Sequence, residues 1–174
     1  FTDGDRQFRV VDLARLLGRL GAPRSDDRDS RRLVTPDVVA GYRIKRADPA
    51  VRLAYARAYR ACLRLFFGLR IRDPDCACKL FERGALEGVR VESGGAFLSA
   101  ELLIKISQRG GRIVEQGVPH YPRTAGRASG ADPRVVLRAV KDFWALRLRL
   151  WADRDGALRR GDPILDEDDA GSGA

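Results

Sequence analysis

Apolar residues at Val10, Leu13, Leu16, Leu17 and Leu20 recur at helical spacing and stop at Gly21, which predicts a helix over that stretch. Ahead of it, Phe1 and Thr2 lead into Asp3, Gly4 and Asp5, the pattern of a strand end followed by an acidic loop. From Gly21 to Pro36, Arg, Asp and Ser dominate, with prolines at 23 and 36. This composition describes a solvated loop. Val38, Val39 and Ala40 then form a short apolar run closed by Gly41, as in a buried strand. A long helix is expected from Pro49 to Gly68, with proline in its first turn and an apolar end at Leu63, Leu65, Phe66 and Phe67. Beyond a loop through Asp73, Pro74 and Asp75, a short strand is expected near Lys79–Phe81. A helix over about Phe97–Arg109 is stopped by Gly110 and Gly111, and a strand over Arg112–Val118 ends at Pro119. Tyr121 to Pro133 is turn-rich, and a last helix is expected from Pro133 to about Trp151. The acidic, Gly-rich remainder is expected to be disordered. Strands alternating with helices argue for an α/β sheet.

Composition adds bounds to this picture. A length of 174 residues with 44% apolar content suits one domain with a real core. The 33 Lys and Arg against 24 Asp and Glu give a net charge of +9. Setting aside the five carboxylates after Gly161, which have no cation among them, leaves the body at +14. Such a surface favours phosphate-bearing partners, whether nucleic acid, anionic headgroups or nucleotide sugars, and does not choose among them. The cations are nearly all Arg, with Lys only at 45, 79, 105 and 141, so part of the excess is ascribed to base composition. Three cysteines, Cys62, Cys76 and Cys78, and a single histidine, His120, supply neither a disulfide framework nor four zinc ligands. Reduced, semi-buried thiols are expected. No run approaches the ~18 apolar residues of a membrane span, so any membrane contact is expected to be peripheral. The chain has no Met and opens at Phe1 within a strand end, which reads as a start lying further upstream.

Two carboxylates separated by one residue, Asp3 and Asp5, can converge on a hard cation in a tight turn, and Gln7 can add a neutral oxygen. An oxygen-only set suits Mg²⁺ or Mn²⁺ that keeps water and takes diphosphate oxygens as further ligands. Asp-Gly-Asp turns are also common in surface loops. Position favours the ligand reading, because α/β sheets bind ligands beyond the carboxyl ends of their strands. Arg43 and Arg123 each follow a predicted strand and offer a planar fork that matches phosphate oxygens. In so Arg-rich a chain, each taken alone is more often a solvated surface cation. Asp73 sits in a Pro-containing loop. Glu101 lies near the helix face carrying Leu98, Leu102 and Ile106, where an unpaired carboxylate would be costly. A structural ion pair is therefore the plain reading of Glu101.

Taken in order, these blocks resemble family 2 glycosyltransferases, in particular the polyprenyl-phosphate sugar transferases similar to dolichyl-phosphate mannosyltransferase. Phe1–Phe8 resembles the family's Asp-x-Asp segment with its following Gln and aromatic, and Asp37–Arg43 is similar to its strand ending in Gly-x-Arg. Phe67–Arg72 with Asp73, Cys76 and Lys79–Phe81 resembles the segment joining the long helix to an Asp-containing loop and a strand. Ser93–Lys105, with Glu101, resembles its Glu-leading helix. Ile113–Gly126, with Glu115, Val118, Pro119, His120, Pro122 and Arg123, resembles the block that follows. The agreement covers most of residues 1–150.

The resemblance implies an α/β fold of the GT-A type, of which this chain is the carboxyl-terminal portion, divided into a partial catalytic domain (1–132), an amphipathic helix (133–152) and an acidic tail (153–174). It implies that Asp3, Asp5 and Gln7 hold the metal and that Asp3 and Asp5 hold the donor diphosphate. Arg43 and Arg123 are implied to face the acceptor phosphate, and Arg52 is a further candidate for that task. Asp73 and Glu101 are the catalytic candidates. The partners implied are a nucleotide-sugar donor, a polyprenyl-phosphate lipid and the membrane surface, at the inner face of the plasma membrane on the cytoplasmic side. Two departures stand out: the nucleotide-binding half expected before Phe1 is not in the chain, and residues 21–36 are longer and more polar than the family pattern. An inactive or split-gene fragment is thus the alternative.

The last predicted helix bears on the acceptor. Val136, Leu137, Val140, Phe143, Trp144, Leu148 and Trp151 give it apolar area, and Arg134, Arg138, Lys141, Arg147 and Arg149 surround that area with cations. Basic helices with Trp lie in headgroup interfaces; the same apolar face could instead pack on the domain. A nucleic-acid-binding module is a third reading, disfavoured because no helix-turn-helix, zinc or RNA-binding signature is present. No nucleic-acid partner is expected.

Overall fold

The computed structural model describes residues 2, 7–22, 24–25, 33–44, 50–121 and 132–160; for 24–25, 33, 50–52 and 154–160 it describes the backbone alone. Among these residues the elements run α1 (Val10–Leu20), β1 (Arg24–Ser25), β2 (Leu33–Val34), β3 (Val38–Arg43), α2 (Ala50–Phe67), β4 (Lys79–Phe81), α3 (Arg83–Leu86), α4 (Leu98–Gln108), β5 (Ile113–Val118) and α5 (Pro133–Arg160). The chain is mixed α/β. Its main sheet has the order β4-β3-β5, with β4 antiparallel and β5 parallel to the central β3.

Alternation along the strands sorts residues between two layers. Val38, Phe81 and Ile113 face a core of Leu63, Phe97, Leu103, Ile104, Ile106, Phe143 and Leu146, supplied by α2, α4 and α5. Their strand neighbours Val39, Leu80 and Val114 face the other side, where α1 covers them through Leu16, Leu13 and Leu20 with Cys76, Cys78 and Val118. The sheet is therefore sandwiched. Val38, Val39 and Ala40 are all fully buried, which is why the central strand reads as a continuous apolar run.

Local chemistry sets the boundaries that matter for the site. α2 ends at Gly68, whose φ of 72° is open to glycine, and Gly68 and Leu69 donate to the carbonyls of Arg64 and Leu63. Leu69 is buried, so the chain turns under the helix and heads for Asp73. At Gly41 a Cβ would stand 2.5 Å from the Cys78 carbonyl oxygen; glycine lets the 76–78 segment lie against β3, and Gly41 N donates to that oxygen at 2.8 Å.

Several expectations change. The predicted strand 38–41 runs on to Arg43, because β5 pairs with it as far as Val118. Within the predicted loop 21–36, Arg24–Ser25 pairs with Leu33–Val34, a ladder too short to impose an alternating pattern. The last helix continues past Trp151 to Arg160, into the span expected to be disordered. Cys62 is exposed rather than semi-buried, while Cys76 and Cys78 are buried, and all three are free thiols. Of the seven apolar residues named on the last helix, only Phe143 is buried. Phe143 and Leu146 join the sheet's own core, so the inner face of α5 packs on the sheet layer. No helix is long and apolar enough to cross a membrane among the described residues.

Candidate active site

The carboxyl end of β3 delivers Arg43 to a buried carboxylate. Asp73 accepts from Arg43 Nε at 2.6 Å, from Nη2 at 2.7 Å and from the Arg43 backbone N–H at 3.3 Å. Burial alone would lower the guanidinium's pKa, but the hydrogen bonds and charge of Asp73 outweigh it and leave the pKa raised. Arg43 thus stays cationic, with its plane fixed by a two-point fork.

The loop that carries Asp73 is held from beneath by Lys79, the first residue of β4. Its buried ammonium donates to the Pro74 carbonyl at 3.0 Å, to the Cys76 carbonyl and to Ser99 Oγ at 2.7 Å. Ser99 Oγ in turn donates to the Pro74 carbonyl at 3.1 Å, and Cys76 N donates to the Asp73 carbonyl at 3.1 Å. A buried ammonium is tolerable only when its donors are satisfied, and these partners come from the loop and from α4. Burial pushes the nearby Cys76 thiol up to about 11, so it stays protonated at neutral pH.

Above this platform opens a cleft of about 200 Å³ lined by Tyr42, Arg43, Leu53, Ala56, Arg57, Arg60, Arg72 and Asp73. Leu53, Ala56, Arg57 and Arg60 lie at spacings of three, one and three on α2 and so share one face. Arg60 donates to the Arg72 carbonyl at 2.9 Å. The Arg72 guanidinium lies over the Tyr42 ring at 5.0 Å, and its backbone N–H donates to Glu115 at 2.7 Å. Burial raises the pKa of Glu115, and the Asp73 charge adds to the shift against the opposing Arg72 and Arg60. Four guanidiniums thus face a single lining carboxylate, which is already committed to Arg43. The cleft is suited to an anion.

The two other candidate blocks meet at the end of β5. Tyr121 N donates to the Gln7 carbonyl at 3.0 Å, and Gln7 Nε2 lies 3.5 Å from the Tyr121 carbonyl. Phe8 packs on His120 with ring centroids 5.7 Å apart, and the Arg9 guanidinium sits 4.2 Å above the Tyr121 ring. The described neighbours of the acidic loop and of Arg123 are therefore side by side. Asp3, Asp5 and Arg123 lie outside the described residues, as does the side chain of Arg52. No cluster of three or more His, Cys, Asp or Glu side chains is placed to hold a metal among the described residues. Gln7, the described member of the expected metal set, has its amide nitrogen 3.5 Å from the Tyr121 carbonyl.

Glu101 sits elsewhere, fully buried on α4. It accepts from Lys105 Nζ at 2.7 Å, from the backbone N–H of Glu92 at 3.0 Å and of Ser93 at 2.8 Å, and from Ser93 Oγ. Burial would raise its pKa, but Lys105 and the Ser93 donors hold it below the usual range. It matches the structural ion pair expected on physical grounds and does not line the cleft.

Sequence reasoning named Arg43 and Asp73 separately, without pairing them, and overlooked Arg57, Arg60, Arg72, Tyr42 and Glu115 as a group. The signal for the first two was the helical spacing of Leu53, Ala56, Arg57 and Arg60; nothing local marked the rest. No family model matches the chain, and none of the curated proteins compared with it is significantly similar.

Proposed function

We propose that this chain is the acceptor-side portion of a GT-A-type family 2 glycosyltransferase, moving a sugar from a nucleotide donor to a polyprenyl-phosphate lipid with inversion. The observation that carries this reading is the arginine-lined cleft, with Arg43 clamped by Asp73, at the carboxyl end of the central strand. The parallel β3–β5 pair with an antiparallel β4 is compatible with that fold. The ordered sequence blocks support the same family.

In this reading the lipid phosphate enters the cleft as a preformed nucleophile. One of its oxygens attacks the anomeric carbon from the face opposite the nucleoside diphosphate; a new C–O bond forms as the bond to the diphosphate breaks. The acceptor is anionic at neutral pH, so no strong base is needed. Asp73, already accepting from Arg43, acts by orienting that guanidinium. Arg57, which has no hydrogen bond or ion pair among the described residues, is available to the phosphate, and Arg60 and Arg72 add positive potential. Asp3, Asp5 and Gln7 would hold Mg²⁺ or Mn²⁺, which supplies charge compensation to the leaving diphosphate. The membrane surface is the proposed source of acceptor, and the exposed Trp144 and Trp151 on α5 support it.

The test is transfer from a panel of nucleotide sugars to a short polyprenyl phosphate, using a protein in which a nucleotide-binding half precedes this chain. Asp5→Ala should lower metal-dependent transfer by roughly 10²-fold or more, as expected for loss of transition-state charge stabilisation. Chelator-insensitive transfer that survives Asp5→Ala would remove the metal assignment, and failure to transfer any sugar would remove the enzyme reading.

A further inference from the structure

Glu115 sets a carboxylate beside a cleft that gathers arginines. β3 and β5 pair in parallel with Ala40 opposite Glu115 and Tyr42 opposite Gly117, so alternation puts Ile113, Glu115 and Gly117 on one face of the sheet. It is the face that packs against α2, α4 and α5 through Ile113. Arg72, in the segment between α2 and β4, meets Glu115 there: its backbone N–H donates to Oε1 at 2.7 Å, while its Nε stands 3.8 Å from Oε2. The short contact is the one to the main chain. The Arg72 guanidinium lies over the Tyr42 ring at 5.0 Å, and the ring is itself lodged against β5. A Cβ at Gly117 would stand 3.1 Å from Tyr42 Oη and 3.0 Å from Ile44 Cγ1. Arg72 lines the cleft, and its terminal nitrogens have no hydrogen bond among the described residues.

We infer that Arg72 grips the phosphate in the cleft directly and that Glu115 is its positioning residue, acting through the Arg72 main chain. The inference rests on the proposed phosphate acceptor and turns Arg72 from a source of positive potential into a contact. The Arg72 side chain is 67% exposed, and ordering such a side chain on binding costs roughly 0.5–1.5 kcal/mol. Three contacts limit its freedom beforehand. Glu115 accepts from its backbone N–H, Arg60 donates to its carbonyl at 2.9 Å, and Tyr42 lies under its guanidinium. A guanidinium laid flat on a ring keeps its edge for an anion. Arg57, on α2, also lines the cleft, so the two arginines offer donors from separate elements. Long-range charge argues the other way at Glu115, because a carboxylate near the cleft repels a phosphate. Electrostatics alone therefore predicts tighter anion binding once Glu115 is removed. Positioning predicts weaker binding, so the sign of the effect separates the two.

The probe is methyl phosphate, a soluble phosphate monoester, titrated calorimetrically into the full chain at mildly alkaline pH, where it is a dianion. Arg72→Ala should weaken binding about tenfold, the scale of one charge-assisted hydrogen bond. Glu115→Leu keeps the bulk and loses the acceptor, and should bring a similar loss. Glu115→Gln keeps an oxygen for the Arg72 N–H and should bind at least as tightly as wild type. In the Arg72→Ala background, Glu115→Leu should bring no further loss, because the side chain through which it acts is gone. Tyr42→Leu puts the same question from the other side of the guanidinium: it should weaken binding only while Arg72 is present. Glu115→Leu binding as tightly as wild type, Glu115→Gln binding as weakly as Glu115→Leu, or an equal loss with and without Arg72 would each overturn the positioning role. If Glu115→Leu does not fold, unchanged affinity in Tyr42→Leu and Arg72→Ala overturns it instead. Binding lost in Arg57→Ala but unchanged in Arg72→Ala would overturn the inference and leave the cleft as the phosphate site. No binding by wild type would overturn both.

Discussion

Arg43 and Asp73 form the pair on which the cleft is built. The Asp73 side chain is 5% exposed and that of Arg43 14%, so removing either charge leaves the other poorly solvated. Asp73→Asn should therefore lower stability by about 3 kcal/mol, the scale for breaking a buried pair; chemical denaturation measures it, and an unchanged midpoint and slope would show that the pair carries no structural weight. Arg123 raises a different question, because its proposed role depends on fork geometry rather than charge. Arg123→Lys keeps the cation and loses the bidentate grip. In the extended enzyme, transfer to lipid phosphate should fall while slow hydrolysis of the donor by water persists. Equal transfer rates would take Arg123 out of the acceptor site, and parallel loss of both rates would move it to the donor. Much at this scale was readable in the chain. The cost of an unpaired carboxylate on an apolar helix face pointed to an ion pair at Glu101, and Lys105 one turn later supplies it. Glu115 could not be read, because its meaning comes from Arg72, 43 residues away in sequence.

At the scale of elements, α4 is tied to the segment before it by Glu101, which makes the helix sensitive to pH. The Glu101 pKa lies below its ordinary value of 4.5 in the folded chain. Its stabilising contribution is therefore complete above about 4.5 and is lost as the pH falls through the lowered pKa. Glu115, with a raised pKa, acts in the opposite sense and favours the folded state on acidification. Glu101→Gln isolates the first effect: it should be less stable than wild type at neutral pH by about 1–3 kcal/mol, with the gap closing in acid. A gap independent of pH would mean that the carboxylate's charge is not what holds the segment. Helices and core strands were legible because periodicity and glycine stops are local signals; α1, for example, spans the stretch from Val10 to Leu20 marked by its leucines. The ladder at 24–25 and 33–34 was not, since two residue pairs leave no period to detect. The extension of α5 to Arg160 escaped notice because the rise of acidic residues and glycine suggested an end that the backbone does not take.

For the whole molecule, the fold gives part of the body's positive charge a location among the described residues. Cations from α2, from the end of β3 and from the loop before Asp73 gather round one cleft, and those of α5 border an apolar stripe. Sequence showed the excess and left open what it was for; placement depended on β3 and β5 pairing in parallel across about 75 residues, which no local pattern encodes. The central claim of the proposed function is that this cleft takes the acceptor's phosphate and does not itself hold the nucleotide. Calorimetric titration of the 174-residue chain with a short-chain polyprenyl phosphate, and separately with nucleotide sugars, tests it most directly. Binding of the lipid phosphate, weakened about tenfold or more in Arg57→Ala for loss of a charge-assisted hydrogen bond, together with little or no binding of nucleotide sugar, is the predicted result. Micromolar affinity for a nucleotide sugar, or equal affinity of wild type and Arg57→Ala for the lipid phosphate, would contradict it.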